Sequence, residues 1–255
     1  MIIRALLALL LLWVMPVQAD ERVVTGISKD NIALNASFNG SSLFVFGAVS
    51  RDAPIPIDAP KLDVVITIKG PEGPAVVRRK ERWFGIWVNR VSVTVRDAPS
   101  YYAIASTRNL SDIITQTEML RYKIGMDQAV RKVESHQKLY DTQPFAEAVV
   151  RIRMDNRLYS QRDWEVYLAE ETLFQSEFEM PSNIVEGEYT AEFFLIRDKE
   201  VVSTGSTEII VQKTGIERWL YNLAQNQPLI YGCLSVFIAL VAGWVAATAF
   251  SLAKR

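Results

Sequence analysis

The sequence predicts a mainly β protein with a helical insert: an immunoglobulin-like antiparallel β-sandwich followed by one C-terminal transmembrane helix. Three observations predict this architecture. Short strand patterns separated by turn signals run from Val23 to about Thr107 and return between Trp164 and Gln212. Helical periodicity replaces them in the middle of the chain. An uncharged apolar run from Leu229 to Phe250 follows near the C-terminus.

Residues 1–19 have the three parts of a secretory signal peptide. Arg4 supplies the positive n-region, Ala5 to Val14 form the apolar h-region, and Val17-Gln18-Ala19 is a small-x-small cleavage site. The apolar run is short for a membrane span. We therefore expect cleavage before Asp20, rather than retention as a second anchor, and export of the residues that follow.

Residues 20–110 are predicted to form the β-sandwich from about six or seven strands. Leu43 to Val49 is apolar on both faces, which is typical of a central strand. Residues 161–213 return to strand patterns and contain a hairpin turn at Asp198-Lys199. Gly187-Glu188-Tyr189 resembles the tyrosine corner of immunoglobulin-like sandwiches. These later strands either complete the first sandwich or form a small second β domain.

Residues 111–160 are predicted to be a helical insert. Ser111 is a suitable N-cap for a helix that ends at Gly125, and a second helix covers Met126 to Val133. A third helix begins at Pro144. We expect these amphipathic helices to pack against the sheet as a structural insert rather than to form a groove for a partner.

Residues 214–228 are predicted to be a juxtamembrane amphipathic helix, residues 229–250 the transmembrane helix and residues 251–255 a cytoplasmic tail. A helix of about 22 residues spans about 33 Å, which is enough to cross the hydrocarbon core of a bilayer. Lys254 and Arg255 place the C-terminus in the cytoplasm by the positive-inside rule. We expect a single-pass protein of the bacterial inner membrane, with its N-terminal domain in the periplasm.

One face of the transmembrane helix carries small residues at a spacing of four. They are Ser235, Ala239, Gly243, Ala247 and Ser251. Small residues let two helices approach closely in lipid, where packing drives association. We predict that this face packs against another membrane protein or against a second copy of the chain. The alternative is that the row follows from the many small residues of the segment.

The composition argues against nucleic-acid binding and against most catalytic chemistry. Without Arg4, Lys254 and Arg255, 25 basic residues remain against 29 acidic ones, so the exported part has no basic excess. One histidine, His136, and one cysteine, Cys233, do not suffice for a zinc or copper site. No nucleophile elbow accompanies His136 as a general base, and the scattered carboxylates leave a carboxylate-pair hydrolase as an unsupported alternative. We therefore predict a non-enzymatic protein without cofactors or metals. The lack of exported cysteines suits the bacterial periplasm.

One stretch, residues 78–89, combines cations with aromatic side chains. On a strand, Arg78, Lys80 and Arg82 share one face, and Arg79 lies on the other. We predict that this stretch binds an anion or an acidic partner through Arg78, Arg79, Lys80, Arg82, Trp83 and Trp87. The alternative is a solvated edge strand whose aromatic side chains enter the core.

Short motifs spread over nearly the whole mature chain carry a family resemblance. They are Phe46-Gly47-Ala48, Val77-Arg78-Arg79-Lys80, Gly85-Ile86-Trp87-Val88-Asn89, Pro99-Ser100-Tyr101-Tyr102-Ala103, Leu173-Phe174, Gly187-Glu188-Tyr189, Lys213-Thr214-Gly215-Ile216-Glu217 and Pro228-Leu229-Ile230-Tyr231-Gly232. Through them the sequence resembles a family of alphaproteobacterial predicted transmembrane proteins of unknown function. The resemblance implies an envelope protein with one C-terminal span and no assigned catalytic residues. It also implies genome neighbours similar to sulfite-exporter-like permeases, and hence an accessory role in anion transport.

These observations together predict a membrane-anchored periplasmic interaction module without catalytic activity. The resemblance favours an accessory subunit of an inner-membrane anion permease of the sulfite type. The alternative is a periplasmic sensor or binding protein for an anionic solute or a cell-envelope polymer. In that case the cations of residues 78–82 would contact the ligand.

Overall fold

The computed structural model describes residues 21–35, 38–54, 59–130, 133–134, 143–214 and 216–253. The predicted signal peptide, His136 and the pair Lys254 and Arg255 lie outside the described residues. The described strands are β1 (Glu21–Ile27), β2 (Asn31–Leu34), β3 (Ser41–Arg51), β4 (Asp63–Lys69), β5 (Glu72–Trp83), β6 (Ile86–Pro99), β7 (Tyr102–Ser106), β8 (Val133–Glu134), β9 (Tyr159–Asp163), β10 (Tyr167–Ala169), β11 (Leu173–Met180), β12 (Gly187–Arg197) and β13 (Glu200–Lys213). The described helices are α1 (Leu110–Ile113), α2 (Gln116–Tyr122), α3 (Met126–Ala129), α4 (Gln143–Asp155), α5 (Ile216–Asn226) and α6 (Pro228–Ala253).

Two sheets face each other and enclose the core. One has the strand order β1-β3-β11-β10, and the other has the order β2-β13-β12-β4-β7-β9. In β3, the inward side chains of Leu43, Val45 and Val49 are buried. The ring of Phe174 in one sheet lies 5.8 Å from the ring of Phe193 in the other, so side chains of both sheets meet in the core. The predicted β-sandwich with a central β3 is confirmed.

The strand order is compatible with an immunoglobulin-like sandwich. If β1, β3, β11 and β10 take the places of strands A, B, E and D, then β13, β12 and β4 take those of G, F and C. Tyr189, near the start of β12, donates a hydrogen bond from its hydroxyl to the Val185 carbonyl oxygen at 2.8 Å. This is the back-bonding of a tyrosine corner, and it lies where the sequence predicts one.

The later strands pair with the earlier ones. β11 pairs with β3, and β12 lies between β4 and β13. β2 pairs in parallel with β13, so segments near the two ends of the β domain are neighbours. Asp198 and Lys199 join β12 to β13 with φ values of 51° and 66°, as in a type I′ turn. Residues 161–213 therefore contribute to the same two sheets as residues 20–110.

The start of the helical insert is more broken than its periodicity predicts. The expected helix from Ser111 to Gly125 is wrong: it is two helices, because Ile114 is extended and the Thr115 side chain caps α2. Asn109, not Ser111, caps α1. Its side-chain oxygen accepts a hydrogen bond from the Ser111 N–H at 3.0 Å.

The next two predicted helices have opposite outcomes. α3 ends at Ala129, and Val133 belongs to strand β8, where it pairs with Val95 of β6. The predicted helix from Met126 to Val133 is therefore wrong beyond its first turn. The third predicted helix is confirmed as α4, which includes Pro144. Its inward side chains are buried: Phe145, Val149 and Val150.

The strand pattern after α4 begins earlier than Trp164. Tyr159 starts β9, which pairs in parallel with β7, and its hydroxyl donates to the Pro99 carbonyl oxygen at 2.7 Å. Trp164 itself lies between β9 and β10 with a φ of 69° and an exposed side chain. A bulky residue in this left-handed region interrupts the extended backbone, and alternation of side chains does not reveal such a break.

α5 and α6 follow the end of β13. α6 contains an apolar span of 22 residues, Pro228–Ala249, with mean hydropathy 2.2 and none of it buried. By length and composition this helix is able to cross a membrane. The predicted juxtamembrane helix at residues 214–228 corresponds to α5.

An ion-pair network closes the end of the sandwich opposite to α6. Glu21 accepts hydrogen bonds from Arg51 Nε at 2.7 Å and from Arg197 Nη2 at 2.8 Å, which links β1, β3 and β12. Burial by itself would raise the pKa of the Glu21 carboxyl. The hydrogen bonds and positive charges of Arg197 and Arg51 outweigh burial and hold that pKa below its ordinary value.

We predict that Glu21→Gln lowers the free energy of unfolding by about 2 kcal/mol at neutral pH, because two arginines lose their shared carboxylate. Because the pKa of Glu21 is lowered in the folded protein, the ionised carboxylate stabilises the fold at every pH above 4.5, which is the ordinary pKa of this group. That stabilisation is lost as the pH falls from this value through the folded pKa. Denaturant unfolding of wild type and variant should therefore differ at neutral pH and converge at an acidic pH below the folded pKa.

Glu179→Gln is the matched control for this measurement. Glu179 pairs with Arg162 at 3.3 Å, but 71% of its side chain is exposed. Exposed ion pairs contribute little, so this variant should unfold like the wild type at both pH values. A Glu21→Gln deficit of equal size at both pH values would contradict the linkage to this carboxyl.

Candidate functional site

The basic and aromatic stretch lies on a long β-ribbon that continues two central strands of the six-stranded sheet. Lys69 at the end of β4 is opposite Tyr102 in β7. The ladder continues beyond them: Gly70 N–H donates to the Tyr101 carbonyl at 2.8 Å, and Ser100 N–H donates to the Pro71 carbonyl at 2.9 Å. β5 and β6 then pair from Glu72 and Pro99 to Trp83 and Ile86. We call β5, β6 and the turn between them the ribbon.

The half of the ribbon nearest the sandwich is packed on the core and on the helical insert. Val93, Val95 and Ala98 are buried, and Ala75 and Val77 pack against the core. The Arg153 guanidinium of α4 donates to the Ser100 carbonyl at 3.0 Å. α4 thus supports the base of the ribbon, and the insert has a structural role there.

The other half, residues 78–90, projects from the sandwich, and we call it the hairpin tip. The pairing shifts between Arg79 and Lys80, which leaves Arg90 as the extra residue of a β-bulge in β6. The Arg90 guanidinium lies 4.4 Å from the centre of the Trp83 ring, a cation–π contact, and 3.9 Å from the Glu81 carboxylate.

The turn of the hairpin tip carries a side chain that its geometry does not favour. Phe84 and Gly85 have φ values of 45° and 86°, which are the positive values of a type I′ turn. Such turns prefer Asn-Gly, and a bulky residue in the left-handed region is strained. Phe84 is 93% exposed, and its described ring contact is an edge-on one with Trp83, with 5.4 Å between the ring centres. This contact leaves most of the Phe84 side chain uncovered.

The aromatic side chains of the hairpin tip lie outside the core. Trp87 is 68% exposed, Ile86 63% and Trp83 47%. The alternative in which these aromatics enter the core is therefore wrong. Together with Phe84 they give the ribbon an exposed apolar end, with Trp83 and Ile86 on one face and Trp87 on the other. Exposed apolar groups of this kind mark interaction surfaces.

The cations of the hairpin tip are arranged as the strand period predicts. Arg78, Lys80 and Arg82 lie on one face, are exposed and form no ion pair within the described residues. Arg79 lies on the other face and pairs with Glu81 at 3.0 Å. Residues 78–90 hold five basic side chains and one acidic one, in a chain whose formal net charge is −1. The hairpin tip is thus a local positive region on a protein that is otherwise acidic.

The second predicted surface, on α6, is open along its described length. Ser235, Ala239, Gly243 and Ala247 are exposed, and a Cβ added at Gly243 would meet no atom within 4 Å. The Ser235 hydroxyl donates to the Tyr231 carbonyl at 2.8 Å, so its polar group is satisfied within the helix. Ser251 continues the row, but its side chain lies outside the described ones.

Sequence reasoning missed one further exposed apolar surface. The outward side chains of the four-stranded sheet include Phe44 and Phe46 in β3 and Leu173 in β11. Phe46 covers the backbone of Gly26 in β1, where a Cβ would lie 2.6 Å from its ring. The sequence signal for this surface was that Leu43 to Val49 is apolar on both faces. That pattern indicates a central strand, but it does not show which of the two faces is covered.

The described residues offer no evident catalytic constellation. No three His, Cys, Asp or Glu side chains among them lie close enough to share a metal ion. Burial raises the pKa of the Tyr102 hydroxyl, which donates to the Lys123 carbonyl at 3.2 Å and accepts from the Gly125 N–H at 3.1 Å. This protonated tyrosine joins β7 to the end of α2, a structural use of its hydroxyl.

The family follows from a comparison of the whole chain. Residues 22–251 match the family described as "Putative transmembrane protein (Alph_Pro_TM)", which covers the sandwich, the ribbon and nearly all of α6. The chain belongs to this family. This match confirms the predicted resemblance. It also confirms the prediction of a transmembrane protein with one C-terminal apolar helix. Among curated proteins, none matches the chain.

We predict that Phe84→Asn raises the free energy of unfolding by about 1 kcal/mol, because asparagine suits a left-handed position better than phenylalanine does. Thermal unfolding of the purified full chain measures this change. Lys199→Asn in the type I′ turn between β12 and β13 is the matched control and should also stabilise the fold. A lower melting temperature for Phe84→Asn alone would show that the Phe84 ring packs on the protein, against the exposure described above.

Proposed function

We propose that this family member is a membrane-anchored interaction module without catalytic activity, and that the hairpin tip is its binding element. The observation that carries the proposal is the exposed Phe84 in a strained turn, flanked by two exposed tryptophans and unpaired cations. Strain and exposed apolar area both cost stability in water. A surface that covers the hairpin tip would offset both costs.

The chemistry of the hairpin tip favours a large anionic surface over a small solute. Sites for small molecules are concave and enclose most of the ligand. Here the apolar side chains project, with Phe84 almost fully exposed, and the cations lie on an open strand face. An extended surface that presents acidic groups beside apolar ones is the better fit to this arrangement. This disfavours the alternative of a sensor for a free anionic solute.

The proposed location of the module rests on the sequence. A signal peptide at residues 1–19 and a basic C-terminal pair support a periplasmic β domain and a cytoplasmic C-terminus at a bacterial inner membrane. The absence of cysteine outside α6 supports the same compartment. The anion permease implied by the family resemblance is a second proposed partner, held through the small-residue face of α6.

We predict that the hairpin tip is protected in native membranes. In a Cys233→Ser background, a membrane-impermeant maleimide should label Phe84→Cys about tenfold more slowly than Lys199→Cys, if nine in ten hairpin tips are bound. Lys199→Cys is the matched control because it lies in an exposed turn of the same type. Combined Arg78→Glu, Lys80→Glu and Arg82→Glu should restore labelling at position 84. Equal labelling of positions 84 and 199 without these reversals would refute the proposal.

We predict separately that α6 packs against another membrane protein. Affinity purification of the full chain in mild detergent should recover a membrane protein that is lost on Ala239→Leu, Gly243→Leu and Ala247→Leu, because larger side chains keep the helices apart. Val241→Leu, Val245→Leu and Ile238→Leu on other faces serve as controls and should retain it. Recovery that is unchanged by all six substitutions would exclude this face as the contact.

A further inference from the structure

We propose that the hairpin tip inserts into the surface of the lipid bilayer that holds α6. Its apolar side chains would lie at the boundary between headgroups and acyl chains, and its cations would contact anionic headgroups. This inference rests on the proposed function and names the surface that the hairpin tip binds. Three independent observations support it: the direction of the ribbon, its length and its chemistry.

The ribbon leaves the sandwich in the direction of the membrane helix. β4 and β13 both pair antiparallel with β12, so they run the same way. Lys69 at the end of β4 is opposite Thr190, which is opposite Glu208 of β13. Farther along, Pro71 contacts Gly187, where a Cβ would lie 2.8 Å from the Pro71 ring. Gly187 is opposite Val211, shortly before β13 ends and leads to α5 and α6.

The ribbon is long enough to reach the level at which α6 begins. Its strand β5 has 12 residues, which extend roughly 40 Å at the usual rise of a strand. The path from Val211 to Pro228 contains two more strand residues, a short link and the 11 residues of α5. This path covers at most roughly 30 Å if α5 stands upright, and less if α5 lies flat. A straight ribbon of this length therefore reaches the level at which α6 begins in both arrangements of α5.

Packing at its base restrains the ribbon. Val93 and Val95 are buried, and β8 pairs with β6 at Val95. The Arg79 guanidinium lies 5.8 Å from the centre of the Phe145 ring in α4. Contacts with the insert thus extend to the first residues of the hairpin tip. A supported ribbon pays less conformational entropy when its end binds than a free loop does.

The chemistry of the hairpin tip is that of a membrane interface. Tryptophan concentrates at the level of the headgroups, and phenylalanine and isoleucine enter the acyl boundary. Basic residues near an anionic leaflet each raise membrane affinity about fivefold. The tip has two tryptophans, Phe84 and Ile86 at its end, and the cations stand behind them on the strands.

The turn between β12 and β13, at the far end of the six-stranded sheet that the ribbon continues, differs in chemistry from the turn of the hairpin tip. Asp198 and Lys199 have the same positive φ pattern as Phe84 and Gly85. They lie at the pole opposite to α6, between Arg197 and Glu200, and are charged and exposed. Two turns of one type thus differ in chemistry according to the pole they occupy.

Depth-dependent quenching in defined lipid tests the inference. The full chain with Cys233→Ser would carry an environment-sensitive fluorophore at Phe84→Cys, or at Lys199→Cys as the matched control. It would be reconstituted in nanodiscs of phosphatidylcholine alone or with phosphatidylglycerol, each with nitroxide-labelled lipid. We expect quenching at position 84 to exceed that at position 199 about fivefold with phosphatidylglycerol, and Arg78→Glu, Lys80→Glu and Arg82→Glu together to remove the excess. A label at Asn89→Cys keeps all four apolar side chains and should show the same contrast.

The outcomes separate this inference from the proposed function. Quenching at positions 84 and 89 that equals that at position 199 in both lipids overturns insertion into the bilayer. If position 84 is nevertheless protected in native membranes, a protein covers the hairpin tip and the proposed function stands. If position 84 is neither quenched in nanodiscs nor protected in native membranes, both proposals fail.

Discussion

The antiparallel pairing of β12 with β4 on one side and with β13 on the other is the constraint on which the rest of the structure depends. β4 is buried on both faces. The four-stranded sheet covers one side of the six-stranded sheet, and the insert covers part of the other, where the Tyr122 ring lies 5.8 Å from that of Phe194. Because β4 and β13 run the same way, the two segments that extend from the sandwich, the ribbon and the membrane helix, leave it at one pole.

The insert explains how a narrow ribbon remains attached to a stable base. A two-stranded hairpin alone is marginally stable in water, since it buries little apolar area. Here Ala75 and Val77 pack against the core, and α4 lies along the base. Glu118 in α2 also accepts a hydrogen bond from the Val201 N–H at 3.3 Å, which ties the insert to β13. Packing therefore stabilises the lower half of the ribbon, while the hairpin tip is left exposed.

Local sequence patterns were sufficient to predict those strands that have one buried face and one exposed face. Leu173 to Met180 alternates strictly and forms a strand with those bounds, and the period of two places Arg78, Lys80 and Arg82 together. The helices of the insert were harder to predict, because the Thr115 cap and the left-handed Lys123 set the ends of α2, and periodicity does not. The exposure of Trp83 and Trp87 could not be predicted, since burial depends on whether another element packs over the strand, which local sequence does not encode. The parallel pairing of β2 with β13 joins residues far apart in the chain, beyond the reach of any local pattern.

The same long-range pairing has a consequence for the order in which the protein folds. β1 and β2, which are made first, meet β13, the last strand before the membrane helix; for example, the Thr25 and Thr207 hydroxyls are 2.8 Å apart. Neither the sandwich nor its core, which includes Phe193 and Ile209, is complete until residue 213 has been made. Folding through such distant contacts is slow, and the early strands stay exposed meanwhile. The domain therefore closes only as the chain reaches its anchor, with the membrane surface beside it.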